Sequence, residues 1–189
     1  MRLVLASASP RRAELLRAAG FSFETLAVDV DERVKPGELP EDYVRRLSQE
    51  KSARGQSRIG GGACIILAAD TAVVVDGEIL GKPADREAAR RMLRRLSGRD
   101  HLVLTGVSLR RGAAELAGVE TTTVWFSPLS ADDLEWYVES GEGADKAGGY
   151  AIQGLGSRFV PRISGSYTNV VGLPVARVAT LLDRFGWRR

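Results

Sequence analysis

The sequence feature that most constrains the fold is the stretch IILAADTAVVVDGEILGKP, residues 65–83. It holds two short apolar runs, the second of them β-branched at 73–75, and runs of this kind predict buried strands. Asp76-Gly77 is a strong turn signal, so a hairpin is expected after the second run. Asp70 follows the first run directly, at the expected end of a core strand, and Lys82 lies just beyond the hairpin.

An acid at the edge of a core strand and a lysine beyond a hairpin suggest a site for a metal ion or a polyanion. A solvated strand end and a surface lysine explain the same two residues, and this stretch alone leaves both interpretations open. The run 77–83 superficially resembles a P-loop, but it is one residue short. Pro83 also stands where a Ser or Thr should bind magnesium, so we reject a P-loop.

Composition places the chain among globular proteins with a real core. Its 189 residues suit one domain, and 44% are hydrophobic against 27% charged. The net charge of +3 permits an anionic ligand without requiring nucleic acid. The single cysteine, Cys64, excludes an internal disulfide and fits a reducing cytoplasm. The apolar patch near the start is too short for a signal peptide, and no stretch is expected to span a membrane.

The first segment predicts a phosphate site. A strand over Leu3–Ala6 leads through small residues to Ser9, a good helix N-cap, and Pro10 fits the first helical position. Arg11 and Arg12 then fall in the first turn, where the helix dipole disfavours cations. An anion held by free backbone N–H groups would offset that cost. Two solvated arginines beside a cap are the alternative.

A predicted second strand, Phe21–Val30, runs into a cluster of acids. Carboxylates gathered at a loop can hold Mg²⁺ or Mn²⁺ through hard oxygen contacts, although solvated surface is the commoner explanation. The members of the cluster are Asp29, Asp31 and Glu32.

The next helix is expected to run from Pro40 to about Arg54. Tyr43, Leu47 and Lys51 stand four residues apart, so they share one face. Since the first two favour the core, Lys51 either extends its ammonium to water or faces a ligand. A glycine-rich link, residues 57–62, follows this helix.

Downstream, the pattern predicts a helix capped by Asp85, a strand pair over 101–109 and 119–126, and a helix that begins with a capping box at Ser130 and Asp133. The arginines of the first of these helices have no interleaved aromatic residues, so they are expected to be solvated. His101 is the only histidine, and a structural role is expected for it.

Residues 141–156 form a second unusual stretch, GEGADKAGGYAIQGLG, with glycine at six positions. Long glycine-rich loops in compact domains are often functional, and the amide of Gln153 could read a base edge. A last strand over 159–163, a polar loop over 166–172 and a helix from Pro174 to about Phe185 complete the prediction.

Several segments together resemble the Maf family of nucleotide pyrophosphatases, in the family's order and along essentially the whole chain. The segments are LASASPRRAELL, LAADTAVVVDGEILGKP, LSGRDHLVLTGV, and DKAGGYAIQG with SYTNVVGLPV. The resemblance implies a single domain over residues 1–189 with an α/β fold similar to inosine triphosphatase. It also implies an elongated mixed sheet with flanking helices and two lobes around a deep central cleft.

The resemblance further implies a cytoplasmic enzyme that uses a divalent cation, Mg²⁺ or Mn²⁺, to cleave a nucleoside triphosphate to the monophosphate and pyrophosphate. Asp70 matches the family's proposed general base, and Asp70 and Glu32 together would hold the metal ion, which leaves open whether Asp70 is mainly a base or a ligand. Thr71 and Gln153 match positions linked to substrate choice. The remaining polar positions of the cleft match Ser7, Arg11, Arg12, Lys51 and Lys82.

Gly148–Gly154, GGYAIQG, is typical of the branch of the family that prefers dTTP and UTP. The alternatives are the branch that prefers 7-methyl-GTP, house-cleaning of modified nucleotides, and a nucleotide-binding regulator of septum formation without required turnover. Neither nucleic acid nor a membrane is an expected partner, and the sequence is compatible with a homodimer without specifying one.

The four cations among these positions, Arg11, Arg12, Lys51 and Lys82, match in number the about four negative charges of a triphosphate. In this hypothesis Asp70 orients or deprotonates the water that attacks the α-phosphorus.

Overall fold

The computed structural model describes residues 1–60 and 64–187. The chain divides into two compact units, which are described one after the other below. The first comprises Met1–Thr71, Thr105–Glu120 and Gly172–Arg189, and the second comprises Ala72–Leu104 and Thr121–Val171. The prediction of one domain over 1–189 stays a prediction.

Within the described ranges, seven strands form one mixed sheet. The strands are β1 (Arg2–Leu5), β2 (Glu24–Thr25), β3 (Cys64–Val75), β4 (Glu78–Leu80), β5 (Asp100–Arg111), β6 (Ala114–Trp125) and β7 (Arg162–Ser164). Their order is β2-β1-β3-β5-β6-β7, with β4 paired to β3 outside this path. Strands β2 and β3 run parallel to β1, whereas β4 is antiparallel to β3 and β7 to β6. The predicted mixed α/β fold is therefore confirmed.

The helices lie between the strands in the chain. They are α1 (Pro10–Ala18), α2 (Pro40–Ile59), α3 (Arg86–Leu96), α4 (Ala131–Ser140), α5 (Tyr167–Val171) and α6 (Val175–Arg184), with 3-10 helices at Ala147–Gly149 and Gly154–Phe159. None of the helices in the described ranges combines the length and apolar content that a membrane crossing needs.

In the first unit, β3 separates two apolar clusters because successive side chains of a strand point to opposite faces. Ile65, Leu67 and Ala69 pack with residues of α1 and α6. Ile66 and Ala68 pack in a separate cluster with residues of β1. The alternation then continues into polar residues, so Asp70 and Thr71 point to opposite faces of the sheet.

Glycines allow α2 to approach the sheet closely. A Cβ at Gly106 of β5 would lie 2.1 Å from the Val44 carbonyl oxygen of α2, and one at Gly55 of α2 would lie 2.9 Å from Ile66 Cγ2. No side chain fits at either distance, so these glycines set how near α2, which carries Lys51, can lie to β3 and β5.

The second unit has an aromatic core. The Phe126 ring packs edge-on against His101 and Tyr150 at centroid distances of 5.1 and 4.7 Å. Tyr137 packs edge-on against Phe159 at 5.2 Å. His101 is 2% exposed, and its Nε2 lies 2.7 Å from the Tyr150 hydroxyl, so the histidine is a core residue, as expected.

Several local predictions are confirmed. Asp76 and Gly77 adopt positive φ between β3 and β4, with Val75 paired to Glu78, which is a two-residue hairpin. Asp85 caps α3 by accepting from the Ala88 amide. Ser130 and Asp133 form the capping box of α4.

Other predictions are wrong, and the differences have physical reasons. Only Glu24–Thr25 of the predicted 21–30 strand pairs with β1. The Leu26 amide still donates to the Leu5 carbonyl, where β1 ends, whereas the Ala27 carbonyl accepts from Arg58 of α2. The predicted polar loop over 166–172 contains α5, whose first turn is capped by the Ser166 hydroxyl accepting from the Asn169 amide.

Two further boundaries differ. Helix α2 continues to Ile59, through the start of the predicted glycine-rich link, whereas Gly61 and Gly62 of that link lie outside the described residues. Strand β3 does not end before Asp70 but continues for five residues to Val75.

We predict that Gly106→Ala destabilises the protein by about 1–3 kcal/mol, because the new methyl group would push α2 off the sheet. Chemical denaturation would measure the change. Gly81→Ala is the matched control, because no atom lies within 4 Å of a Cβ there. A Gly106→Ala variant as stable as the control would contradict the close approach of α2.

We also predict that His101 makes stability depend on pH between about 6.5 and 4. Burial lowers the pKa of His101 to about 4. The unfolded chain therefore binds a proton that the folded chain rejects, and stability is lost as the pH falls through this window. The free energy of unfolding, measured by denaturation at several pH values, should change less steeply with pH for His101→Gln than for the wild type. The same pH dependence of stability in both proteins would contradict the lowered pKa of His101.

Candidate functional site

The first unit buries a carboxylate beside a lysine. Asp70 lies in the interior of β3 and is 7% exposed. Lys51, on the buried face of α2 and 8% exposed, donates from Nζ to Asp70 Oδ1 at 2.6 Å. The same Nζ donates to Glu32 Oε1 at 2.6 Å. One ammonium therefore bridges two carboxylates, and the interpretation of Lys51 as a lysine that extends to water is wrong.

The surroundings of Asp70 favour a proton-accepting role. Burial raises the pKa of Asp70 above its ordinary value, and the positive charges of Lys51 and Arg12 oppose that rise only in part. A carboxylate with a raised pKa is a stronger base than one in water, and it needs only a small change in its surroundings to accept a proton.

Arg12 is tied to the protein by a set of hydrogen bonds that converge from three segments. Its Nε donates to the Gly172 carbonyl at 2.8 Å. Its Nη1 donates to the Ala69 carbonyl at 2.8 Å and to Ser7 Oγ at 3.3 Å. Its Nη2 donates to Thr71 Oγ1 at 3.1 Å. These bonds occupy four of the five N–H donors of a guanidinium.

Arg12 therefore holds β3 on both sides of Asp70, at Ala69 and at Thr71. Burial lowers the pKa of its guanidinium, while the nearby Asp70 raises it, and arginine stays charged through such changes. The sequence predicted that Arg12 would contact phosphate. In the structure, most of its hydrogen-bonding capacity is used to fix the segments around Asp70.

The two predicted polar positions beside Arg12 are also bound within the protein. Ser7 Oγ accepts from the Ser9 amide at 3.2 Å, which shapes the turn before α1. Thr71 Oγ1 lies 2.9 Å from Thr105 Oγ1 and 3.3 Å from the Gly172 carbonyl oxygen. Arg11 lies next to Arg12 in the first turn of α1, as predicted.

The predicted acid cluster does not act as one group. Asp31 pairs with Arg33, and this ion pair lowers the pKa of Asp31. Only Glu32 turns to Lys51 and Asp70, and the Tyr43 hydroxyl donates to the Glu32 carbonyl at 3.0 Å. The first unit thus brings together Ser7, Arg12, Glu32, Lys51, Asp70 and Thr71.

The other two predicted site residues, Lys82 and Gln153, belong to the second unit and are exposed. Lys82 follows β4, next to Gly81, whose carbonyl accepts from the Gly148 amide of the glycine-rich loop at 3.0 Å. Gln153 is the N-cap residue of the second 3-10 helix, and its side chain makes no capping hydrogen bond.

Sequence reasoning missed two residues of this arrangement. One is Gly172, whose carbonyl accepts from Arg12, and no sequence signal marks a backbone acceptor. The other is Glu142, which accepts hydrogen bonds from the Leu155 and Gly156 amides around Gln153. These partners are backbone amides, so no pattern of side chains marked its role in the sequence.

The two carboxylates on Lys51 fit a divalent cation in part. In the described part of the chain, no group of three or more His, Cys, Asp or Glu side chains is placed to hold a metal ion. Mg²⁺, however, commonly takes one or two protein carboxylates and completes its shell with substrate phosphates and water. Asp70 and Glu32, already gathered around one cation, supply such a donor set for Mg²⁺ or Mn²⁺.

The chain matches one protein family along nearly its whole length. The family model described as "Maf-like protein" matches residues 2–185. The dTTP/UTP pyrophosphatase of Anaeromyxobacter dehalogenans is 53% identical over 98% of this chain and 95% of its own length. That of Symbiobacterium thermophilum is 52% identical over 98% and 94%. Among solved structures, the Staphylococcus aureus Ham1 protein has a TM-score of 0.49 at 15% identity, covering 67% of this chain and 72% of that one.

We predict that Arg12→Lys lowers the free energy of unfolding by about 1–3 kcal/mol, since an ammonium cannot reproduce the guanidinium's contacts and leaves buried acceptors unsatisfied. Urea denaturation would measure the loss. Arg17→Lys, an exposed position on the same helix, is the matched control and should stay within about 0.5 kcal/mol of the wild type. Equal stability of the two variants would contradict the structural role of Arg12.

Proposed function

This chain belongs to the Maf-like protein family, and from that premise we propose that it hydrolyses dTTP and UTP to the nucleoside monophosphate and pyrophosphate. One observation in the structure carries the proposal, namely the buried Asp70 carboxylate, which accepts from Lys51 and lies in a strand that Arg12 holds on both sides of it. Burial raises the pKa of this carboxyl. The relatives that share about half of its residues bear the printed name dTTP/UTP pyrophosphatase. Near-complete coverage of both chains supports the transfer of that activity.

In the proposed reaction Asp70 orients a water molecule and accepts its proton as the water oxygen attacks the α-phosphorus. The bond between the α-phosphorus and the bridging oxygen breaks, and pyrophosphate leaves with the bond's electron pair. Asp70 suits the role of general base because its burial raises the pKa of the carboxyl, so the carboxylate accepts a proton more readily than one in bulk water. Arg12 bonds to Ala69 and Thr71, the residues on either side of Asp70, and this limits how far the Asp70 backbone can move.

Asp70 and Glu32 are the residues that would hold a divalent cation, together with phosphate oxygens of the substrate. When bound, such an ion would lower the pKa of a coordinated water and offset charge on the phosphates. Lys51 lies 2.6 Å from both carboxylates and would share them with the ion. Since an ammonium has three donors, Lys51 would have one more for a phosphate oxygen.

The charges around Asp70 suggest that the four predicted cations have different roles. Asp70 and Glu32 already offset Lys51 and Arg12, so this four-residue cluster is neutral overall. We therefore assign positioning of Asp70 mainly to Arg12, while the phosphate contacts of Arg11 and Lys82 are proposed from the family resemblance alone. Thr71 contributes through its bond to Arg12, and Gln153 is assigned to the base.

The remaining attributes follow from the activity. A nucleoside triphosphate is the proposed partner, and nucleic acid and membrane are not. The cytoplasm is the proposed location, and the unpaired, buried Cys64 is compatible with a reducing compartment.

We predict that Asp70→Asn lowers kcat/KM for dTTP by about 10²- to 10⁴-fold, the usual range for loss of a general base. The fold should survive, because Glu32 still places a carboxylate on Lys51 in the variant. The measurement is pyrophosphate release with Mg²⁺ or Mn²⁺, alongside circular dichroism to verify folding.

Asp76→Asn is the matched control, since it makes the same chemical change in a surface turn. Asp76 has φ of 53°, which asparagine tolerates, and it forms an exposed ion pair with Arg99. The control should keep near-normal turnover. A folded Asp70→Asn variant that turns over as fast as the control would end the proposed role of Asp70.

A further inference from the structure

The backbone on both sides of Gln153 is fixed by two side chains that no part of the proposed reaction uses. Glu142 Oε1 accepts from the Leu155 amide at 2.8 Å, and its Oε2 accepts from the Gly156 amide at 2.9 Å. On the other side of Gln153, the Ala151 amide donates to the Tyr137 hydroxyl at 3.0 Å. That hydroxyl donates in turn to Glu142 Oε2 at 2.7 Å.

These bonds give Glu142 the place that a helix N-cap side chain normally fills. Leu155 and Gly156 lie in the first turn of the 3-10 helix Gly154–Phe159, where backbone N–H groups lack partners within the helix. The N-cap residue itself is Gln153, and its side chain makes no capping hydrogen bond. Because Glu142 caps the helix from outside, the Gln153 amide can serve another purpose.

The neighbouring glycines show that this arrangement is close-fitting. A Cβ at Gly154 would lie 2.2 Å from Glu142 Oε1, and Gly154 also has φ of +78°. A Cβ at Gly156 would lie 2.2 Å from the Ala151 carbonyl oxygen and 2.9 Å from the Tyr137 hydroxyl. The glycines of this loop therefore leave the space that the Glu142 and Tyr137 contacts need. The loop backbone packs closely around the Glu142 carboxylate.

The carboxylate is well satisfied where it lies. Burial would raise the pKa of Glu142, but the hydrogen bonds from Tyr137, Leu155 and Gly156 outweigh burial and lower it. The Lys146 ammonium adds a bond to the Glu142 backbone carbonyl at 2.6 Å. Tyr137 is 1% exposed in α4, so the anchor rests on a rigid element of the second unit.

We propose that Glu142, supported by Tyr137, is a positioning residue for base selection, because it fixes the backbone from which Gln153 presents its amide to the nucleotide base. The inference rests on the proposed function, in which Gln153 contacts the base. A glutamine amide offers a donor and an acceptor, and uracil and cytosine present different donor and acceptor patterns at positions 3 and 4. Selection between them requires the amide to be held in one place, and the Glu142 contacts provide that constraint.

The test compares UTP with CTP, which share the ribose and triphosphate and differ only in the base. Glu142→Gln keeps the size of the side chain but removes its charge and one of its two acceptor oxygens. We expect this variant to lower the ratio of kcat/KM for UTP to that for CTP by roughly threefold to tenfold. Glu139→Gln, the same change at an exposed position of α4, is the matched control and should keep the wild-type ratio.

A double-mutant cycle separates positioning from a general effect on the fold. In a Gln153→Ala background, Glu142→Gln should leave the UTP to CTP ratio unchanged, since no amide remains to be positioned. An equal loss of activity toward both nucleotides, or a ratio effect that persists without Gln153, would overturn the inference. If Glu142→Gln does not fold, Tyr137→Phe removes one hydroxyl from the same network and carries the same expectation.

Hydrogen exchange gives a readout that does not depend on turnover. At least one of the Leu155 and Gly156 amides should exchange faster in Glu142→Gln than in the wild type or Glu139→Gln, because the glutamine side chain keeps only one of the two acceptor oxygens. Unchanged exchange would overturn the anchoring by Glu142. A wild-type protein that releases pyrophosphate from no nucleotide would overturn the proposed function and the role in base selection, while the exchange result would still decide the anchoring.

Discussion

The contact on which the first unit depends is the one between the Asp70 carboxylate and the Lys51 ammonium, 2.6 Å apart inside the protein. A buried carboxylate without a partner would be strongly unfavourable, so Asp70 depends on Lys51, whereas Lys51 is also paired with Glu32. The contact between Asp70 and Lys51 depends on the close approach of α2 to the sheet, which Gly55 and Gly106 allow. It also depends on strand alternation, which turns Asp70 away from the face that holds Leu67 and Ala69.

Arg12 completes this arrangement from the other face of the sheet. Its guanidinium ties the turn before α1, the middle of β3 and the segment before α6 to one another through fixed hydrogen bonds. Arg12 is the second of the two arginines in the first turn of α1. It holds the segments around Asp70 together.

Much of the fold was predictable because local signals and tertiary structure agree. The turn at Asp76-Gly77, the cap at Asp85 and the box at Ser130 and Asp133 all form as their chemistry predicts. The identity of Asp70 as the central acid was also predictable, through the family resemblance more than from spacing alone.

The sequence failed to predict those features that depend on contacts between segments far apart in the chain. Strand β3 continues through Asp70 because Lys51 and Arg12 satisfy polar groups that would otherwise end a core strand. The contacts of Arg12 come from residues up to 160 positions away and include two backbone carbonyls, which carry no side-chain signal. The anchoring of the Gln153 loop by Glu142 was hidden for the same reason, since its partners are backbone amides.

The measurement that tests the central claim most directly is product analysis with purified protein, Mg²⁺ or Mn²⁺, and a panel of dTTP, UTP, CTP, GTP and 7-methyl-GTP. The account predicts release of pyrophosphate and the nucleoside monophosphate, fastest from dTTP and UTP. Preference for 7-methyl-GTP would contradict the assigned substrates while leaving the chemistry at Asp70 standing. A folded protein that binds nucleotide but releases no pyrophosphate from any of them would contradict the account as a whole.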